Sequence, residues 1–105
     1  MANMGKFLKQ AKKMQESMDK LQQELDESLI EVEASGGAIV ITISGNGSLN
    51  SIKIDPDIID KDDVEGMEDL ILTAVNQAIN EAKKFSEEKN KEITAGMQLP
   101  PGLNF

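Results

Sequence analysis

Two apolar seams at heptad spacing limit what this chain can fold into. Met4, Phe7, Ala11, Met14, Met18, Leu21 and Leu25 follow one another at intervals of 3, 4, 3, 4, 3 and 4 residues. That is the a/d pattern of a helix with one apolar stripe, sustained for about three heptads. No Pro or Gly interrupts it after Gly5. A helix over about residues 4–28 is therefore expected, roughly 37 Å long at about 1.5 Å per residue. A second seam carries Val64, Met67, Ile71, Ala74, Ala78, Ala82 and Phe85. It predicts another long helix over about 62–94. Asp62 and Glu65 have the spacing of a capping box, and Gly96 is placed to close the helix.

The stretch between the seams reads as β-structure. LIEVEA alternates, with Ile30, Val32 and Ala34 on one face; AIVITIS is a β-branched run suited to a central strand; LNSIKID sets Leu49, Ile52 and Ile54 among polar residues. Gly36-Gly37 and Gly45-Asn46-Gly47 separate the three runs and are hairpin signals. Asp55-Pro56 ends the sheet. The order is α-β-β-β-α, an α+β fold with a three-stranded antiparallel sheet, over about residues 29–55, flanked by two long helices. The apolar tail 96–105 holds two prolines and is expected to dock. With 105 residues, a single domain over 1–105 is expected. A sheet with strands of roughly 20 Å is too small to cover two helices each well over 30 Å long. The uncovered apolar surface points to a homodimer.

Composition narrows the function classes. The chain has no Cys and no His. That excludes His/Cys zinc sites, imidazole acid–base catalysis and thiol nucleophiles, so an enzyme is not expected and no cofactor is implied. No apolar run approaches the roughly 20 residues of a membrane span. The lysine-rich start lacks the apolar region and cleavage site of a signal peptide. A soluble, cytoplasmic protein is the expectation. DPDIIDKDDVE is acidic, but Ile59 and Asp60 fall where a calcium loop needs a ligand and Gly. GNGSLN has Asn50 where a phosphate-binding loop needs its third Gly, and it leads into a strand. Turn and cap roles fit both stretches.

Charge is the feature that remains. The formal net charge is −8, yet Lys6, Lys9, Lys12 and Lys13 crowd the first thirteen residues, which contain no acid. On a helical wheel at about 100° per residue, Lys6, Lys9, Lys13 and Lys20 fall within an arc of roughly 60° opposite the seam. Lys12 lies about 60° further round. Lysines at a helix N-terminus oppose the macrodipole at a few tenths of a kcal/mol each. A helix with only a structural duty would carry acids there. The five lysines are thus candidate contacts to an anionic partner, with Lys83, Lys84 and Lys91 of the second helix ranked behind them because Glu81, Glu87, Glu88 and Glu92 dilute them. Nucleic-acid phosphate is a better partner than a membrane, because Met4, Phe7 and Ala11 make a weak insertion face. All eleven positive charges are lysines. Without arginine, phosphate contacts are expected rather than base reading. A protein–protein adaptor with weak or no DNA binding is the alternative class, suggested by the acidic surface and the Met-rich seam.

Four segments carry a resemblance. They are KQAKKMQESMDKLQQEL, EASGGAIVITISGNGSLNSIKIDP, DDVEGMEDLILTAVNQAINEA and TAGMQLPPGLNF. Together they resemble the YbaB/EbfC family of bacterial nucleoid-associated proteins over nearly the whole chain. GMQLPPG, GNG and IKIDP in combination make the likeness specific. The resemblance implies an α-β-β-β-α homodimer with helices projecting like tweezers. It also implies DNA binding with little sequence preference, a place in the nucleoid and no catalytic motif. It does not define DNA-contact residues, so the lysine assignment rests on charge alone.

Overall fold

The computed structural model describes residues 4–96, and side chains through residue 92. The elements run α1 (Met4–Glu27), β1 (Leu29–Ala34), β2 (Ile39–Ser44), β3 (Leu49–Ile54) and α2 (Val64–Gly96). This is the α-β-β-β-α order that the periodicities predict. The expected docking of the tail concerns residues outside those described.

The sheet is an antiparallel meander in the order β1-β2-β3. Its register stacks the apolar residues in three rows. Ala34 pairs with Ile39 and Ile39 with Ile54; Val32 pairs with Ile41 and Ile41 with Ile52; Ile30 pairs with Ile43 and Ile43 with Leu49. The third row needs a correction to simple alternation. Leu49 and Ile52 are three residues apart, which would put them on opposite faces. A bulge solves this. Thr42 pairs with Ser51 and Ile43 with Leu49, so Asn50 is the extra residue. The tight turn before β2 uses three successive positive φ values, at Ser35, Gly36 and Gly37.

Helix α2 crosses one face of this block. Ala74, Ala78 and Ala82 recur at i, i+4 and i+8 and are buried, which lets the helix sit close on the fully buried Ile39, Ile41 and Ile43. Gln77 Nε2 donates to the Glu33 carbonyl at 3.3 Å, which ties one flank of α2 to β1. The helix therefore covers β1 and β2 and leaves the β3 column open. Leu49 is 49% exposed and Ile52 45%. The start of α2 also differs from expectation. Asp63, not Asp62, is the cap: its Oδ1 accepts from Gly66 N at 3.1 Å, and its carbonyl takes the first helical bond from Met67 N at 3.3 Å. Asp62 N instead donates to Asp60 Oδ1 in the preceding turn.

Candidate nucleic-acid interface

Helix α1 meets the body only at its C-terminal end. Leu21 and Leu25 are each 6% exposed, whereas Met4 and Phe7, on the same seam, are each 70% exposed. The seam is uniform in sequence, but α2 and β2 reach only its last two turns. The rest of α1 projects. The molecule is accordingly long, 73 × 23 × 17 Å with a radius of gyration of 20.1 Å. A compact chain of this length would have roughly 13 Å. Gln15 to Asp19, Gln22 to Asp26 and Gln23 to Glu27 make i,i+4 hydrogen bonds along the exposed surface. Such pairs contribute about 0.2–0.5 kcal/mol each and help a helix that has little to pack on.

Lys6, Lys9, Lys12, Lys13 and Lys20 all lie on the exposed surface of α1. Among the described residues none of the five makes an ion pair, whereas α2 carries Lys84–Glu81 at 3.8 Å and Lys89–Glu92 at 3.6 Å. Lys89 also sits over the Phe85 ring, 5.7 Å from its centroid. So α2 neutralises some of its own cations while the start of α1 does not. From Lys6 to Lys20 the face runs roughly 21 Å at about 1.5 Å per residue. Lys83 stands apart from this face. It lines an open cleft of about 750 Å³ where α1, α2 and the β2–β3 hairpin meet, with Gln22, Leu25, Gly45 and Asn46.

The fold also separates the charges. The acids Asp55, Asp57, Asp60, Asp62, Asp63, Glu65, Glu68 and Asp69 follow β3. They leave the sheet at its Ala34/Ile54 edge, where Asp55 N bonds the Ala38 carbonyl at 2.8 Å. Helix α1 leaves at the opposite edge, where Gly45 N bonds the Ser28 carbonyl at 3.1 Å. The two edges are roughly 17 Å apart along a six-residue strand. That is about twice the screening length of about 8 Å at physiological salt. These eight acids are thus held away from the lysines, whereas Glu16 and Asp19 share α1 with them.

The whole of this architecture falls within a recognised family. Residues 1–97 match the YbaB/EbfC DNA-binding family. The chain belongs to that family. Among its relatives, a protein of Dictyoglomus turgidum is 42% identical over 103 residues, covering 98% of this chain and 99% of the other. One from Ruminiclostridium cellulolyticum is 44% identical over 101 residues, covering 96% and 88%. One from Rhodospirillum rubrum is 40% identical over 105 residues, covering 100% and 98%. All three are named nucleoid-associated proteins. The crystal structure of an uncharacterised Helicobacter pylori protein superposes with a TM-score of 0.59 at 22% identity, covering 84% of this chain and 98% of that one. It has the same fold. YbaB/EbfC is a DNA-binding family rather than an enzyme family. Among the described residues no helix is long and apolar enough to cross a membrane, and no group of three or more acids is placed to hold a metal ion.

One arrangement was not legible in the sequence. Asn46, at the hairpin tip, donates from Nδ2 to Asp26 Oδ1 in the last turn of α1 at 2.6 Å. Its Oδ1 accepts from Ser48 N at 2.9 Å and from Ser44 Oγ. Nothing local in the sequence singles out Asp26, because Glu24 and Glu27 share the last turn of α1 with it.

Proposed function

We propose that the whole chain acts as one domain, that two copies associate, and that the dimer binds duplex DNA with little sequence preference through lysine–phosphate contacts. The observation that carries this reading is the exposed, unpaired lysine face on a helix that projects from the body. Lys6, Lys9, Lys12 and Lys13 form its dense part, and Lys20 extends it toward the base. Family membership and the relatives' names support DNA as the partner and the nucleoid, hence the cytoplasm, as the location. The absence of arginine favours backbone contacts over base reading. Two uncovered apolar surfaces support association: the β3 column of Leu49 and Ile52, and the α1 seam of Met4, Phe7, Met14 and Met18.

A dimer presents two lysine faces. If roughly 4–8 phosphates are neutralised, log K falls against log salt with a slope of about −4 to −7. The test changes Lys6, Lys9, Lys12 and Lys13 together to Gln, which removes charge and keeps helix propensity. The variant is expected to stay folded and dimeric, to lose most of its affinity for any duplex, and to show a flatter salt dependence. Binding equal to that of the parent would reject the lysine face and favour an adaptor that uses the Met-rich seam.

A further inference from the structure

We propose that Asp26 and Asn46 form a positioning clamp that fixes the angle at which α1, and the lysine face with it, leaves the sheet. The consequence for DNA rests on the reading above, whereas the clamp itself rests on geometry alone. Within one protomer, helix α1 is anchored through Leu21 and Leu25 and by the adjoining Ser28, whose carbonyl accepts from Gly45 N, while from Met18 back toward Met4 its apolar seam is largely exposed. Fifteen residues separate Leu21 from Lys6, a lever of roughly 22 Å. A swing of about 10° at the base moves Lys6 by about 4 Å. That is more than the roughly 3.4 Å rise per nucleotide along one DNA strand. The leucines keep α1 attached, but apolar contact is non-directional and tolerates rocking. A hydrogen bond to a carboxylate is directional, and the 2.6 Å bond from Asn46 to Asp26 is short and charge-assisted.

The anchor at the other end of this bond is firm. The Asn46 amide oxygen is held by Ser48 N and by the Ser44 hydroxyl. Ser44 is only 4% exposed and closes the central strand. The chain of bonds therefore runs from the core of the sheet through the hairpin tip to a residue 20 positions earlier on α1. Within its own helix Asp26 makes one exposed i,i+4 bond, from Gln22 Nε2 at 3.1 Å, a contact of small stabilising effect. It lies in the last turn, where a negative charge opposes the macrodipole. Helix α1 is in fact charged against its dipole at both ends, with no acid in its first turn and no base in its last. The lysines account for one end; at the other, the clamp accounts for Asp26 but not for Glu24 and Glu27 beside it.

The chain has no cysteine, so Gln10→Cys on α1 and Asn76→Cys on α2 accept one pair of spin labels at exposed sites. Pulsed electron–electron distance distributions are recorded without DNA, with the labelled chain diluted in a large excess of unlabelled chain, so that within-chain pairs are read. Asp26→Ala removes the link, and the Gln22 bond beside it, but leaves Asn46 bound to Ser44 and Ser48. It is expected to broaden or shift the distribution while thermal stability changes little, because loss of the unfavourable dipole contact offsets part of the two exposed hydrogen bonds removed. Asn46→Asp is expected to do the same by opposing two carboxylates. The double variant D26N/N46D is expected to restore the parent distribution, because the amide at position 26 then donates to the carboxylate at position 46 and the net charge is unchanged. On duplex DNA, Asn46→Asp is expected to bind at least threefold more weakly than Asn50→Asp, a charge-matched change at the exposed bulge residue, and the double variant to regain the parent affinity. A parent-like distribution in both single variants, or no restoration in the double, overturns the clamp. Binding by Asn46→Asp equal to that of Asn50→Asp overturns its role in DNA contact. Failure of the lysine test would leave the distance measurement to decide the clamp by itself.

Discussion

A methyl group added at Gly45 is the sharpest single probe of how α1 is seated. A Cβ there would lie 3.0 Å from Leu25 Cδ2, 3.0 Å from the Leu25 carbonyl oxygen and 3.0 Å from Phe85 Cε1. Leu25 and Phe85 belong to different helices, so one methyl pushes on both. The two side-chain atoms can give a few tenths of an ångström by rotating. The carbonyl cannot move without carrying the last turn of α1 with it. Over-packing of this kind costs about 1–3 kcal/mol. At about 2 kcal/mol, and about 4–8 °C per kcal/mol for a chain near this size, Gly45→Ala lowers Tm by about 8–16 °C. The assay is unfolding followed by far-UV circular dichroism at fixed protein concentration, because the chain has no Trp or Tyr and association would move the midpoint. Gly47→Ala in the same hairpin serves as the comparison. Nothing lies within 4 Å of its added Cβ, and its cost comes from a φ of +92 alone, about 1–2 kcal/mol. Phe85→Leu should relieve part of the Gly45→Ala penalty and none of the Gly47→Ala penalty. A Gly45→Ala protein within about 0.5 kcal/mol of the parent, or full additivity of both glycine changes with Phe85→Leu, would refute this account of the joint.

Two further outcomes separate the protomer from its assembly. Ile52→Lys puts a charge on the uncovered β3 column; the circular dichroism of the protein should stay that of the parent, while sedimentation should show self-association weakened at least about tenfold, about 1.4 kcal/mol or more. Asp63→Ala should cost about 0.5–2 kcal/mol in urea unfolding because it removes the α2 cap, and Asp62→Ala should cost less than about 0.5 kcal/mol; the reverse order would return the cap to Asp62.

The elements and their order follow from local patterns in the chain. Heptad spacing specified both helices, and the β-branched run IVITIS specified a central strand, because a period of 3.6 or of 2 residues is a local property of the chain. The lysine stripe on α1 was legible for the same reason: seven apolar residues and five lysines on opposite sides of one wheel need no tertiary information. Tertiary structure decided which parts of those faces are used. The α1 seam reads as uniform from Met4 to Leu25, yet only Leu21 and Leu25 are buried, because a sheet three strands wide and six residues long offers no more surface. The spacing of Leu49 and Ile52 gave no consistent face until the Asn50 bulge placed both beside Ile41 and Ile43. Asp62 and Asp63 are equally good caps on paper, and the turn that binds Asp62 N to Asp60 leaves the cap to Asp63. The acids after β3 and the lysines of α1 form one sum in the net charge, but the meander sends them to opposite edges of the sheet. Asp26 and Asn46 meet only because Ser28 alone separates α1 from β1, which brings the end of that helix against the β2–β3 hairpin. A contact between residues 20 apart depends on chain reversal in space, which no local periodicity encodes.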